Sequence, residues 1–194
     1  CIAAKRFIVV ESRREEFERR FVERMRAAKM GNPLEEDTVV GPMARHDLRD
    51  ELHEQVEASI AKGARCLLGG RIPDGPGAFY PPTVLADVKK GMAAYQDELF
   101  GPVASIIPVK SEREAVKVAN DSVFGLGAAV FTQDAARGER IATKELQAGC
   151  CVVNDFVKSD PRLPFGGIKE SGYGRELSHY GIKEFVNIKT VCLR

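Results

Sequence analysis

Apolar positions along this chain switch repeatedly between short continuous runs and a four-residue step. Residues 7–10, Phe-Ile-Val-Val, form a run rich in β-branched side chains, which predicts a buried strand. Ser12-x-x-Glu15 has the spacing of a capping box. Phe17, Phe21, Met25 and Ala28 then recur on one helical face, up to the break at Gly31-Asn32-Pro33. Leu48, Leu52, Val56 and Ile60 step by four through residues 44–62, a second helix stopped by Gly63. Residues 65–68 predict a buried strand, 69–77 a Gly/Pro-rich surface loop and 83–88 another strand.

The alternation continues to the end. Residues 103–109 predict a strand despite Pro108, and Ser111-x-x-Glu114 is a second capping box, opening a helix to 120. A strand over 126–131, a helix over 134–146 and a strand over 150–153 follow. Residues 154–173 are too long for an ordinary connection, and such loops usually carry function. A helix over 175–185 and a strand over 186–193 close the chain. Strand–helix–strand repetition predicts an α/β fold, a layered and mostly parallel sheet flanked by helices. The 194 residues suit one domain or one large lobe, and no internal boundary or repeat is visible.

Charge and composition narrow the function. Lys plus Arg is 29 and Asp plus Glu is 28, so the basic excess that drives nucleic-acid binding is missing. No apolar run approaches the ~20 residues of a membrane span. The five cysteines are Cys1, Cys66, Cys150, Cys151 and Cys192, an odd set without a C-x-x-C pair. That argues for a reducing compartment, the cytoplasm, rather than a disulfide framework. The arginines of residues 13–26 alternate with glutamates, which predicts a solvated, salt-bridged face. His53-Glu54-x-x-Glu57 departs from H-E-x-x-H at its second ligand and has no evident third, so no metal is expected. Gly166, Gly167, Gly172 and Gly174 fit neither phosphate-loop spacing, and tight turns explain them.

Four segments stand out in order, Cys1-Ile-Ala-Ala-Lys-Arg6, Glu98-Leu-Phe-Gly-Pro-Val103, Asn120-Asp-Ser-x-Phe-Gly-Leu126 and Pro164-Phe-Gly-Gly-x-Lys-x-Ser-Gly-x-Gly-Arg-Glu176, and together they resemble the catalytic domain of the aldehyde dehydrogenase superfamily. Cys1-Ile-Ala-Ala-Lys-Arg6 is similar to the stretch that begins at the family's catalytic cysteine. Glu98-Leu-Phe-Gly-Pro-Val103 resembles its E-x-F-G-P-[VI] motif, and Asn120-Asp-Ser-x-Phe-Gly-Leu126 its N-x-x-x-[YF]-G-L motif. Pro164-Phe-Gly-Gly-x-Lys-x-Ser-Gly-x-Gly-Arg-Glu176 resembles its C-terminal motif. The whole looks most like the succinate-semialdehyde dehydrogenase branch.

The resemblance implies a role for each matched residue. Cys1 would attack the aldehyde as a thiolate, hydride would pass to NAD or NADP, and water would release the acid from a thioester. Glu98 would hold the nicotinamide ribose, and Phe100 would pack near the nicotinamide. Residues 154–162 correspond to the substrate-anchoring loop. In it Ser159 would contact the substrate carboxylate, Lys158 and Arg162 would favour an anionic tail, and Asn154 would hold the loop backbone. Phe165 would form an aromatic wall of the substrate tunnel. The resemblance further implies a catalytic domain over 1–185 and a C-terminal strand over 186–194 that joins subunits of a homo-oligomer. The family's cofactor-binding domain, general-base glutamate and oxyanion asparagine lie upstream of its cysteine, outside this sequence. The isolated chain is therefore expected to be inactive and to hold the cofactor weakly, with a small semialdehyde, not nucleic acid or membrane, as partner of the parent protein.

The chain starts at Cys1 without a visible signal peptide, which processing or a longer parent would explain. Two other readings stand: an inactive structural or interaction module of this fold, and a hydrolase using the α-amino group of Cys1 as base. Within the dehydrogenase reading, transfer of the thioester to coenzyme A is the rival to hydrolysis.

Overall fold

The computed structural model describes residues 2–194. It contains two compact units, residues 4–115 and residues 116–194 with 2–3. No Pro- or Gly-rich linker marks the division, because it falls inside a continuous helix, α4 (Glu112–Asn120).

The first unit is built on β1 (Arg6–Val10), β2 (Arg65–Leu68), β3 (Thr83–Ala86) and β4 (Val103–Val109). They form one mixed sheet in the order β1-β4-β3-β2; β4 is parallel to both neighbours and β2 runs antiparallel at the edge. Pro108 is tolerated in the interior strand for a definable reason. The Ser105 N–H points to β1 and the Ile106 carbonyl to the opposite side, where it accepts from Val88. Alternation turns the Pro108 nitrogen to that same side, beyond the last residue of β4 that β3 pairs, Ser105. No ladder hydrogen bond is lost. The short run 65–68 reads as buried in the sequence, but its edge position leaves Arg65 and Cys66 exposed, with a bulge between Cys66 and Leu68.

Helix α1 (Arg14–Arg26) lays Phe17 and Phe21 on Phe7 of β1, with ring centroids 6.2 and 4.6 Å away. Met25 joins the same cluster. The Ser12 capping box does not form. Residues Glu11–Arg13 make a 3-10 turn that runs into the helix, and no side chain caps it. The outer face carries the expected ion pairs, Arg20–Glu16 at 2.6 Å among them. In α2 (His46–Ala61), Leu52 and Val56 are buried, but the next inward position is Ser59, while Ile60 is 37% exposed. A step of four overshoots the 3.6-residue turn, so the stripe drifts. The Ser59 hydroxyl donates to the Gln55 carbonyl and accepts the N–H of Ala94 in α3 (Ala93–Gln96). His53 of the near-miss metal motif is turned to the Tyr80 hydroxyl, 3.1 Å away.

The second unit holds β6 (Gly127–Val130) parallel to β7 (Cys150–Val153), and a short antiparallel pair, β5 (Phe124–Gly125) with β8 (Ile168–Lys169). Asp134 caps α5 (Ala135–Arg140) by accepting the Arg137 N–H. The expected helix over 175–185 is reduced to α6 (Ser178–Gly181) and a 3-10 turn, Ile182–Phe185. Residues 186–194 pair with no strand among the described residues. A strand exists only where a neighbour takes its backbone groups, and the described residues offer none there. Among the described residues no helix is long and apolar enough to cross a membrane.

Candidate active site

In the first unit, the segment from Glu98 to Pro102 forms a turn leading into β4. Leu99 is buried, and Gly101 lies so close to α2 that an added Cβ would come within 2.3 Å of Leu52 Cδ2. With Leu99 and Gly101 held inward, Glu98 and Phe100 face outward, and the Phe100 ring is 55% exposed. The Glu98 carboxylate accepts no hydrogen bond among the described residues. Lys5 reaches this turn: its Nζ donates to the Gly101 carbonyl at 3.1 Å and stands 5.7 Å from the Phe100 ring centroid. Burial pushes the Lys5 amine down, and the charge of Glu98 opposes that shift. The turn therefore presents an exposed carboxylate able to accept hydrogen bonds beside a partly exposed aromatic ring.

In the second unit, β7 runs into the loop at Asn154, which adopts a φ of +54°. Its backbone N–H donates to Val130, and its side chain pairs both ways with Thr132, accepting the N–H at 2.9 Å and donating to the carbonyl at 2.8 Å. Asn154 thus extends the β6–β7 ladder by a side chain and holds the loop, as its sequence position suggests.

Beyond it the loop's cations are not free. Lys158 pairs with Asp155 at 2.8 Å, and Arg162 grips Asp160 through Nε and Nη2 at 2.9 and 2.6 Å. These contacts hold the Lys158 amine above its ordinary range and the Asp160 carboxyl below its own. Local spacing of two and three residues lets each acid reach its base, so the loop is a set of neutralised pairs rather than a positive patch. Ser159 is exposed between them, and Nη1 of Arg162 is left outside the Asp160 contact.

Phe165 is buried, 9% exposed, and its N–H and carbonyl exchange hydrogen bonds with Glu176 at 2.9 and 2.8 Å. The motifs around it interlock. Phe124 and Gly125 pair with Lys169 and Ile168, and Lys169 Nζ donates to the Asn120 and Ser122 carbonyls at 2.9 Å each. The Gly125 N–H donates to Ser171 Oγ, and Arg175 donates to the Gly167 carbonyl. Sequence reasoning missed Gly149. A Cβ there would lie 1.8 Å from the Gly166 carbonyl oxygen, so only glycine lets the Phe165–Gly167 stretch pass beside the start of β7. Its only signal is a glycine immediately before a strand.

Glu98 and Phe100 are thus brought together in one unit, and Ser159, Arg162 and Phe165 lie along one stretch of the other. The proposed nucleophile, Cys1, lies outside the described residues. Of the other thiols, Cys66 and Cys151 are pushed up by burial, Cys151 further by Cys150, which disfavours a thiolate at either.

A sequence profile of the aldehyde dehydrogenase family matches residues 1–191. The chain is 52% identical over 191 residues to a succinate semialdehyde dehydrogenase [NAD(P)+] of Escherichia coli, covering 98% of this chain and 41% of that protein. It is 49% identical over 193 residues to a succinate-semialdehyde dehydrogenase [NADP(+)] of Mycobacterium leprae, covering all of this chain and 42% of that one. The crystal structure of a succinic semialdehyde dehydrogenase from Streptococcus pyogenes, in complex with NADP+, superposes with a TM-score of 0.92 at 38% identity, covering 96% of this chain and 41% of that chain. The chain spans about two fifths of the length of the curated relatives it matches.

Proposed function

The chain belongs to the aldehyde dehydrogenase family, and from that premise we propose that it carries the nucleophile of an NAD(P)-dependent dehydrogenase that oxidises succinate semialdehyde to the acid. The observation that carries this reading is the outward pair of Glu98 and Phe100, held on a turn anchored by Leu99 and Gly101. The names of the relatives supply the substrate.

Cys1 attacks the carbonyl carbon as a thiolate, which forms the C–S bond of a thiohemiacetal. A bound nicotinamide cofactor supplies the acceptor for the hydride that leaves this carbon. Glu98 accepts hydrogen bonds from the ribose hydroxyls, and Phe100 packs beside the nicotinamide. Ser159 donates to the distal carboxylate of the substrate, and Nη1 of Arg162 adds a second donor while Asp160 holds the rest of that guanidinium. Water then hydrolyses the thioester on Cys1, releasing the acid and returning the thiol. Phe165, locked to Glu176 by its backbone, forms a wall of the substrate tunnel. The exposed apolar side chains Ile188, Val191 and Leu193 supply a strand for a homo-oligomer, an assembly that light scattering should show to be lost on truncation after residue 185. Residues 1–194 alone do not turn over aldehyde.

The test is a steady-state screen of the full polypeptide that carries this chain, using succinate semialdehyde, glutarate semialdehyde and a neutral aldehyde with each cofactor, beside residues 1–194 alone. Succinate semialdehyde should give the highest kcat/KM, and Cys1→Ala and the isolated chain should give none. Equal rates with the neutral aldehyde would contradict the substrate assignment.

A further inference from the structure

We propose that Lys5 is a positioning residue for the cofactor side of the site, fastening the turn that presents Glu98 and Phe100. The inference rests on the reading of Glu98 as the ribose ligand. Lys5 and Arg6 are consecutive, and each engages an aromatic residue of the same segment. Lys5 holds its far end, through the Gly101 carbonyl at 3.1 Å and the Phe100 ring. Arg6 covers the ring of Tyr95 in α3, with its guanidinium carbon 4.8 Å from the centroid. Glu98 lies between these two grips, and the carbonyl of Lys5 is itself fixed by the Ser105 N–H of β4.

The two grips do different jobs. Tyr95 is buried, so Arg6 contributes to the packing of α3. Phe100 and Glu98 are exposed, on a turn held from within by buried Leu99 and by the Gly101 N–H donating to the Leu99 carbonyl at 2.9 Å. Without the Lys5 ammonium, the Phe100 ring loses its cation and the Gly101 carbonyl one of its two donors, keeping the Val103 N–H at 2.8 Å, while the core beneath is unchanged. Glu98 also loses the positive charge beside it. The expected consequence is a loosened cofactor platform on an intact fold.

The experiment uses the full polypeptide that carries this chain, with Lys5→Met, Lys5→Arg and Glu98→Gln. Equilibrium binding of NADH and NADPH is read by fluorescence titration, and KM for cofactor and aldehyde by steady-state kinetics. Lys5→Met should weaken reduced-cofactor binding about threefold to tenfold, the loss of one cation–π contact with its hydrogen bond. The cofactor KM should rise in step, with aldehyde KM and melting temperature unchanged, and Lys5→Arg should restore most of the affinity. If Glu98→Gln weakens binding and Lys5→Met does not, the Lys5 proposal is wrong and the reading of Glu98 stands. If Glu98→Gln leaves binding intact, that reading fails and the proposal falls with it. A Lys5→Met protein that melts early and loses affinity for both substrates would reduce Lys5 to a structural residue.

Discussion

Gly149→Ala tests whether the geometry of the proposed substrate side depends on one close backbone approach. The backbone of Gly149 is not in the left-handed region, so alanine introduces no φ strain. The whole effect is steric. A Cβ at this position would lie 1.8 Å from the Gly166 oxygen, 2.9 Å from the Gly166 carbonyl carbon and 3.3 Å from the Gly167 Cα. The Phe165–Gly167 stretch must therefore move by more than an ångström, and it is backbone, with no rotamer to yield. Overpacking of this kind costs roughly 1–3 kcal/mol in stability. A displacement of about 1 Å in a substrate-positioning segment costs on the order of 100-fold in rate. The assay is kcat/KM for succinate semialdehyde, with melting temperature and NADH affinity measured alongside. The Glu98 turn shares none of these contacts, so cofactor affinity should hold. Gly91→Ala is the control: its φ of +94° is strained for alanine, at a cost of about 1 kcal/mol, but nothing lies within 4 Å of the new atom. Its kinetics should match the unaltered protein. A Gly149→Ala protein with full kcat/KM and an unchanged melting temperature would refute the reasoning.

Asp87 joins Arg14 and Arg65, which both also reach Glu18, in a closed ring of four charges linking α1 to β2 and the end of β3. Partial burial pushes the Asp87 carboxyl up, but the hydrogen bond from Arg65 and the charges of Arg14 and Arg65 outweigh it and hold it low. A depressed carboxyl stabilises fully above its unfolded value and loses that contribution as pH falls through the folded one. Asp87→Asn should thus cost roughly 1–2 kcal/mol in urea unfolding at pH 7, with the gap closing below about pH 4. A gap constant across that range would contradict the assignment. Ser159→Ala should lower kcat/KM for succinate semialdehyde about tenfold, the worth of a hydrogen bond to a charged group, and leave a neutral aldehyde unaffected. An equal loss for both would show that Ser159 does not read the carboxylate.

Legibility followed the range of the interactions. The interior strand β4 was readable over its full length, Val103–Val109, because a strand with neighbours on both sides writes itself as an apolar run. The Ser111 box was also readable, since its contacts are local: Ser111 Oγ accepts the Glu114 N–H at 3.2 Å. The same signature at Ser12 misled, because a 3-10 turn after β1 claimed that residue. For the candidate site, the order of motifs singled out Glu98, Phe100 and Phe165, of which the first two are exposed and the third is buried. Lys158 and Arg162 are each neutralised by an acid two or three residues away, a pairing to which the hydrophobic pattern is blind because it reads apolar positions only. Gly149 was invisible for a related reason, as its constraint is a carbonyl seventeen residues away. The strand expected over 186–193 finds no pairing neighbour among the described residues.

Everything proposed for the reaction rests on Cys1 forming the bond to substrate. The most direct test is to quench the full polypeptide during turnover of succinate semialdehyde and map acyl groups on every cysteine by peptide mass spectrometry. A succinyl thioester on Cys1 is predicted, with Cys66, Cys150, Cys151 and Cys192 unmodified. A succinyl group on any of those four instead, or turnover that survives Cys1→Ala, would contradict the account.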